Sequence, residues 1–166
     1  MVEPSVYAWL VADRLAVAER PGGGGRTHRR VRRDGELDWW ADAGVTTIVS
    51  GMRSRHGLLE SALHGFRVHW HPLVTVEQAV RELPAMVATT LAAMERDTGA
   101  VMVHVDLPGE WLAGVDAALR LATGSARSRG DALARAAGDG LPVGEIAQAL
   151  VSAIPVRRRR ASGAER

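Results

Sequence analysis

The run Val101-Met-Val-His104-Val105-Asp106-Leu107-Pro108-Gly109-Glu110-Trp111 places titratable and aromatic side chains where an apolar stretch gives way to a helical one. A strand, a tight loop and a helix N-terminus in that order aim backbone N–H groups at any anion that settles there. In an open parallel sheet, ligands bind outside the carboxyl ends of the strands. Asp106 has the chemistry of a nucleophile or general base, although a carboxylate at a helix start is more commonly a cap. His104, ending a buried strand, is expected to make one hydrogen bond to backbone. His69 and His71 are two apart on a strand and so share a face; with His104 they form the donor set of a catalytic zinc. Sequence alone does not bring these three together, and neither a metal nor any other cofactor is expected. The densest basic segment, Arg26 to Arg33, offers Arg29, Arg30, Arg32 and Arg33 as a polyanion surface together with Arg157–Arg160. Without interleaved aromatics for base stacking, solvated charge is the commoner meaning of such a run. Gly22–Gly25 are not followed by Gly-Lys-Ser/Thr, so they are no Walker loop.

The composition limits the chemistry further. The 166 residues, 46% apolar and 24% charged, suit one soluble globular domain with a real core. All 21 basic side chains are arginine, which explains a pI near 10.2 at a net charge of only +2. The Ala/Arg/Gly/Val bias without lysine resembles the coding of a GC-rich bacterial genome. There is no cysteine, hence no disulfide, no thiolate metal site and no thiolate nucleophile. No apolar run approaches the roughly 20 residues of a membrane helix. The opening Met1-Val-Glu-Pro lacks the pattern of a signal peptide, so a cytoplasmic location is expected.

Alternating strand and helix patterns predict the elements that must position the loop. Val6–Val11 and Leu15–Ala18 read as strands, the first as one covered on both faces, and Pro21 with the glycines ends this unit. A helix from about Asp34 uses Leu37, Trp40 and Ala41 as its inner face and stops at Gly44. Val45–Val49 is a β-branched strand. A short helix over about 57–64 is expected to bury Leu58, Leu59 and Ala62, and Phe66–Trp70 follows as a strand. Val76–Asp97 is the longest helical pattern, with Val76, Val80, Leu83, Val87, Leu91 and Met94 on one stripe. Pro84 either kinks it or begins a new helix. Ala100–Val105 is the strand that leads into the loop, and helices follow at about 111–122, 128–137 and 144–153. The fold class is therefore α/β: a twisted, mainly parallel sheet of four or five strands flanked by helices, over residues 1–155. Residues 156–166, an Arg-rich tail, are expected to be disordered.

The order Trp9…Leu15-Ala-Val-Ala18-Glu19-Arg20-Pro21, Ala43-Gly-Val-Thr-Thr-Ile-Val49, Gly65-Phe-Arg-Val-His-Trp-His-Pro72-Leu73 and Val101-Met-Val-His104 resembles the protein-tyrosine/dual-specificity phosphatases over about residues 6 to 155. In that family His-Cys, five residues, Arg and Ser or Thr follow. Aligned on His104, the resemblance implies that the nucleophilic Cys falls on Val105 and the phosphate-gripping Arg on Trp111. The loop glycine falls on Pro108 and the hydroxyl residue on Leu112. The general-acid Asp has no counterpart, since Val74-Thr75-Val76 precede Glu77.

A methyl-bearing side chain cannot attack phosphorus, and an indole with one donor cannot replace a bidentate guanidinium. Pro108 removes a backbone N–H from the cradle. Asp106 and Glu110 are expected to bring negative charge where a dianion would sit. The expected function is thus a catalytically inactive phosphatase-like domain that binds a protein partner or phosphorylated ligand through the degenerate pocket His104 to Trp111. Trp111 itself is expected to plug that pocket or to serve a protein contact. Two alternatives stay open: a hydrolase with relocated chemistry at Asp106 or a His/metal site, and a polyanion-binding or nucleic-acid-binding module built on the Arg26–Arg33 loop.

Overall fold

The computed structural model describes residues 1–23 and 29–156. Five strands form one sheet: β1 (Tyr7–Val11), β2 (Leu15–Glu19), β3 (Val45–Ser50), β4 (Arg67–Trp70) and β5 (Ala100–Val105). Their order is β1-β2-β5-β3-β4, and only the β1–β2 pair is antiparallel. Six helices complete the described residues: α1 (Arg30–Asp42), α2 (Leu58–Leu63), α3 (Val76–Arg96), α4 (Glu110–Thr123), α5 (Arg129–Gly138) and α6 (Glu145–Ser152).

β5 is central and wholly buried because the sheet is covered on both sides. Its alternate residues serve two cores. Val101, Val103 and Val105 join the core under α3, α4 and α6, with Leu83, Val87, Leu112 and Leu150. Ala100 and Met102 join the core under α1, with Leu37, Trp40 and Ile48. Around Trp40, the rings of Tyr7, Trp9 and Trp39 lie edge-on or tilted at 4.9–6.1 Å.

β1 differs from its expected environment. It is an edge strand, half-buried except at Leu10, because the chain returns through a tight turn at Ala12–Arg14 and pairs on one side only. The second helix starts at Leu58 and leaves Leu59 and Leu63 69% and 77% exposed, with Ala62 also outside. One turn and a half of helix presents one narrow face, and here that face is Ser61. α1 begins at Arg30, so the basic segment is helical for most of its described part. Residues 24–28 and 157–166, including Arg26 and Arg157–Arg160, lie outside the described residues.

α3 runs unbroken through Pro84, which faces solvent. Its start is fixed by Thr75, whose Oγ1 accepts from the Gln78 N–H at 3.2 Å, while Gln78 Oε1 accepts from the Val74 N–H at 2.9 Å. The buried stripe is Ala79, Leu83, Met86, Val87, Thr90 and Ala93, so Val76, Val80, Leu91 and Met94 flank the inner face and do not form its centre. α4 and α6 approach closely at Gly114, where a Cβ would lie 2.7 Å from Leu150 Cδ1 and 3.2 Å from Ala147 Cα. No helix among the described residues is long and apolar enough to cross a membrane.

Candidate functional site

The predicted loop lies where expected, between the carboxyl end of β5 and α4, beside the segment that follows β3. Gly109, the residue before α4, has φ 83° and ψ −137°, a conformation that glycine alone adopts without strain, and this turns the chain from loop to helix. What the loop presents is mostly closed. Val105 is 2% exposed and packs against Leu73, and a Cβ on Gly51 would lie 3.2 Å from Val105 Cγ1. Leu112 is fully buried. Trp111 lies partly buried on the same core and carries the Arg53 guanidinium 5.8 Å from its ring centre. Leu107 and Pro108 point outward.

Neither acidic residue leaves uncompensated charge in the loop, contrary to the sequence expectation. Asp106 Oδ1 accepts from Arg20 Nη1 at 2.8 Å, and Oδ2 accepts from the Arg53 backbone N–H at 3.1 Å. Glu110 turns toward α6, where Oε2 accepts from the Ile146 N–H at 2.8 Å. It supplies from a distance the cap that Gly144, having no side chain, cannot give. Both carboxylates are therefore held by partners that fix the loop to its neighbours.

The histidines do not converge. His69 pairs in register with Val49 and therefore faces the α3 side, where burial, then Arg96, pulls its pKa below the ordinary value. His71 is on that side too: its Nδ1 is 2.7 Å from Glu82 Oε1 and its Nε2 2.9 Å from Thr89 Oγ1. His104, in register with Ala18 and Ser50, faces the α1 and α2 side. Neighbours in register share a face, so the sheet itself separates His104 from His69 and His71. Among the described residues no group of three or more His, Cys, Asp or Glu is arranged to hold a metal ion.

His104 also lacks the backbone hydrogen bond expected of it. It is 2% exposed, and neither Nδ1 nor Nε2 has a hydrogen-bond partner among the described residues. Burial pulls its pKa down to about 4, with Asp106 opposing and Arg20 reinforcing the shift. A small hollow lies against it, lined by Arg20, Pro21, Arg33, Met52, His56, Gly57, Ser61 and His104. No sequence pattern points directly to this hollow, because its walls come from four separate segments.

The four candidate arginines are not one surface. Arg32 donates to Glu36 Oε1 at 2.6 Å and to Glu19 Oε1 at 2.7 Å. Arg33 is buried and paired with Asp34 and Glu60, both at 3.2 Å. Arg29 and Arg30 remain exposed.

Strand order, a loop closing the central strand and a helix behind it define the fold of the protein-tyrosine and dual-specificity phosphatases. The chain is similar to human DUSP28 over 91% of its length and 95% of that chain, with TM-score 0.65 and 16% identity. It is similar to Tk-PTP, whose structure is that of the active form, over 88% and 92%, with TM-score 0.64 and 18% identity. PTPMT1, in complex with PI(5)P, matches over 89% and 93% with TM-score 0.66 and 12% identity. No family model matches the chain, and no curated protein matches it. The chain is a phosphatase-like domain in fold, and it has no cysteine.

Proposed function

We propose that this phosphatase-like domain does not hydrolyse phosphate esters and acts by binding a partner, specifically one that is anionic or phosphorylated. The observation that carries the first half is Val105. It stands at the end of β5, where the fold's nucleophile would stand, buried among Leu73 and Leu112 with only methyl groups to offer. The relocated alternative at Asp106 is disfavoured because both of its carboxylate oxygens are already engaged.

The second half is supported by the segment after β3. Arg53 and Arg55 are exposed, have no carboxylate partner among the described residues, and lie over the rings of Trp111 and Trp70 at 5.8 and 4.7 Å. Arginines held against indole faces are partly preordered, and preordering lowers the entropy lost on meeting an anion.

The test is hydrolysis of an aryl phosphate by purified protein, with and without divalent metals. No turnover is expected. Turnover by the wild type that disappears in Asp106→Asn would overturn the proposal. Val105→Cys is expected to remain inactive, since the loop still has an indole in the guanidinium position and Pro108 in the cradle.

A further inference from the structure

We infer that the hollow beside His104, on the α1 and α2 side of the sheet, is a binding site for a small oxyanion, such as the phosphate of a phosphomonoester. This deepens the reading of the domain as an anion binder and rests on it. It places the anion on the opposite side of β5 from Val105.

The first support is the state of His104. A buried imidazole with both nitrogens unpartnered is a rare and costly arrangement, and each such group calls for a partner. The neutral ring offers one N–H donor and one lone pair. The space against it has a volume of about 10 Å³, room for one water-sized group. The hollow has room for a single oxygen of a larger anion against the ring, with the rest of the anion outside it.

The second support is independent of the histidine. Arg20 and Arg33 line the same hollow, and neither guanidinium is used up by its carboxylate partners. Arg20 donates from Nε to the Gly23 carbonyl and from Nη1 to Asp106, leaving Nη2 without a partner among the described residues. Arg33 donates from Nε to Asp34 and from Nη1 to Glu60, again leaving Nη2. Their carboxylate partners hold each guanidinium in place, and each keeps donors for a further acceptor. His56 and Ser61 add polar groups to the wall. The carboxylates of Asp34, Glu60 and Asp106 stand behind these arginines and oppose a dianion, so a modest affinity is expected.

The test follows the histidine imidazole resonances of the wild-type protein by NMR during titration with inorganic phosphate, sulfate and phenyl phosphate. The His104 ring nitrogens are expected to shift in a saturable way with each anion. His104→Leu is expected to weaken phosphate binding at least about tenfold, the loss of one hydrogen bond to a charged group. Glu77→Gln, on the outer surface of α3, is expected to bind as the wild type does. Phenyl phosphate also separates the two levels of argument. Its hydrolysis would overturn the non-catalytic reading. Binding without hydrolysis that shifts the Asp106–Trp111 amides and leaves His104 unmoved would overturn the site and spare that reading. Unmoved His104 resonances with all three anions would overturn the site as well, and this holds even if His104→Leu fails to fold.

Discussion

Val105 and His104 are neighbours on one strand, yet they face regions of opposite character. On the Val105 side, α3, α4 and α6 press methyl groups together, Glu110 caps α6, and a small hollow against Val105 is walled largely by Leu73, Leu107 and Trp111. On the His104 side, the helices α1 and α2 leave a hollow, with a buried ring and guanidinium donors that have no partner among the described residues. The alternation of a strand makes this division sharp, because one residue's step along β5 crosses the sheet. Apolar residues in the loop after β5 therefore do not close the other face of the strand. The polar residue next in line keeps its position with no hydrogen-bond partner for its ring among the described residues.

The largest expected effect separates the two sides by pH. The imidazole of the unfolded chain takes up a proton near pH 6.5, whereas burial holds folded His104 unprotonated to about 4. The unfolded state therefore binds the proton more readily. Stability is intact above pH 6.5 and is lost as pH falls toward 4, by about 3 kcal/mol from this group. Denaturant unfolding at intervals from pH 7 to 4 measures the fall, and His104→Leu should lack that component. An unchanged profile in the variant would mean that His104 is not the buried neutral ring described.

On the closed side, Gly114→Val is expected to cost about 2 kcal/mol, since a Cβ already meets Leu150 at 2.7–2.8 Å and the Ala147 backbone at 3.2 Å. Thermal unfolding checks this. A neutral result would show that α4 and α6 can separate, and that the closed side is looser than its contacts imply.

Much of the frame was legible in the sequence because periodicity reports burial. β5 was delimited as Ala100–Val105, and the last two helices fell within a residue or two of their predicted bounds, since Gly138-Asp-Gly140 and Gly144 mark their ends. α2 was legible as a helix but its inner face was not, because six residues carry too little periodic signal to choose between Leu58, Leu59 and Ser61. Arg33 read as solvated charge, and it is buried because Glu60, 27 residues away, meets it. That Val105 and Trp111 stand in the loop in place of reactive side chains was legible from the sequence, while whether the loop keeps an open pocket was not. The hollow was not, for it depends on how Arg20, Arg33, Met52 and Ser61 come together in space.

Two smaller changes sharpen the account of the loop. Glu110→Ala should cost about 1 kcal/mol, the ordinary value of a lost helix cap, and should speed hydrogen exchange of the Ile146 amide in particular. If exchange there is unchanged, the carboxylate does not hold α6.

The smallest effect concerns Arg53. Its guanidinium lies 5.8 Å from the Trp111 ring centre and is exposed, so Arg53→Ala should cost about 0.5 kcal/mol. The backbone N–H that reaches Asp106 survives the substitution, and Val105 stays packed against Leu73. Trp111 fluorescence should shift toward that of a more solvated indole while the unfolding midpoint barely moves. A loss of 2 kcal/mol or more would show that the arginine is a lid on the loop between β5 and α4. The closed side of β5 would then owe its closure to one surface cation as well as to Val105.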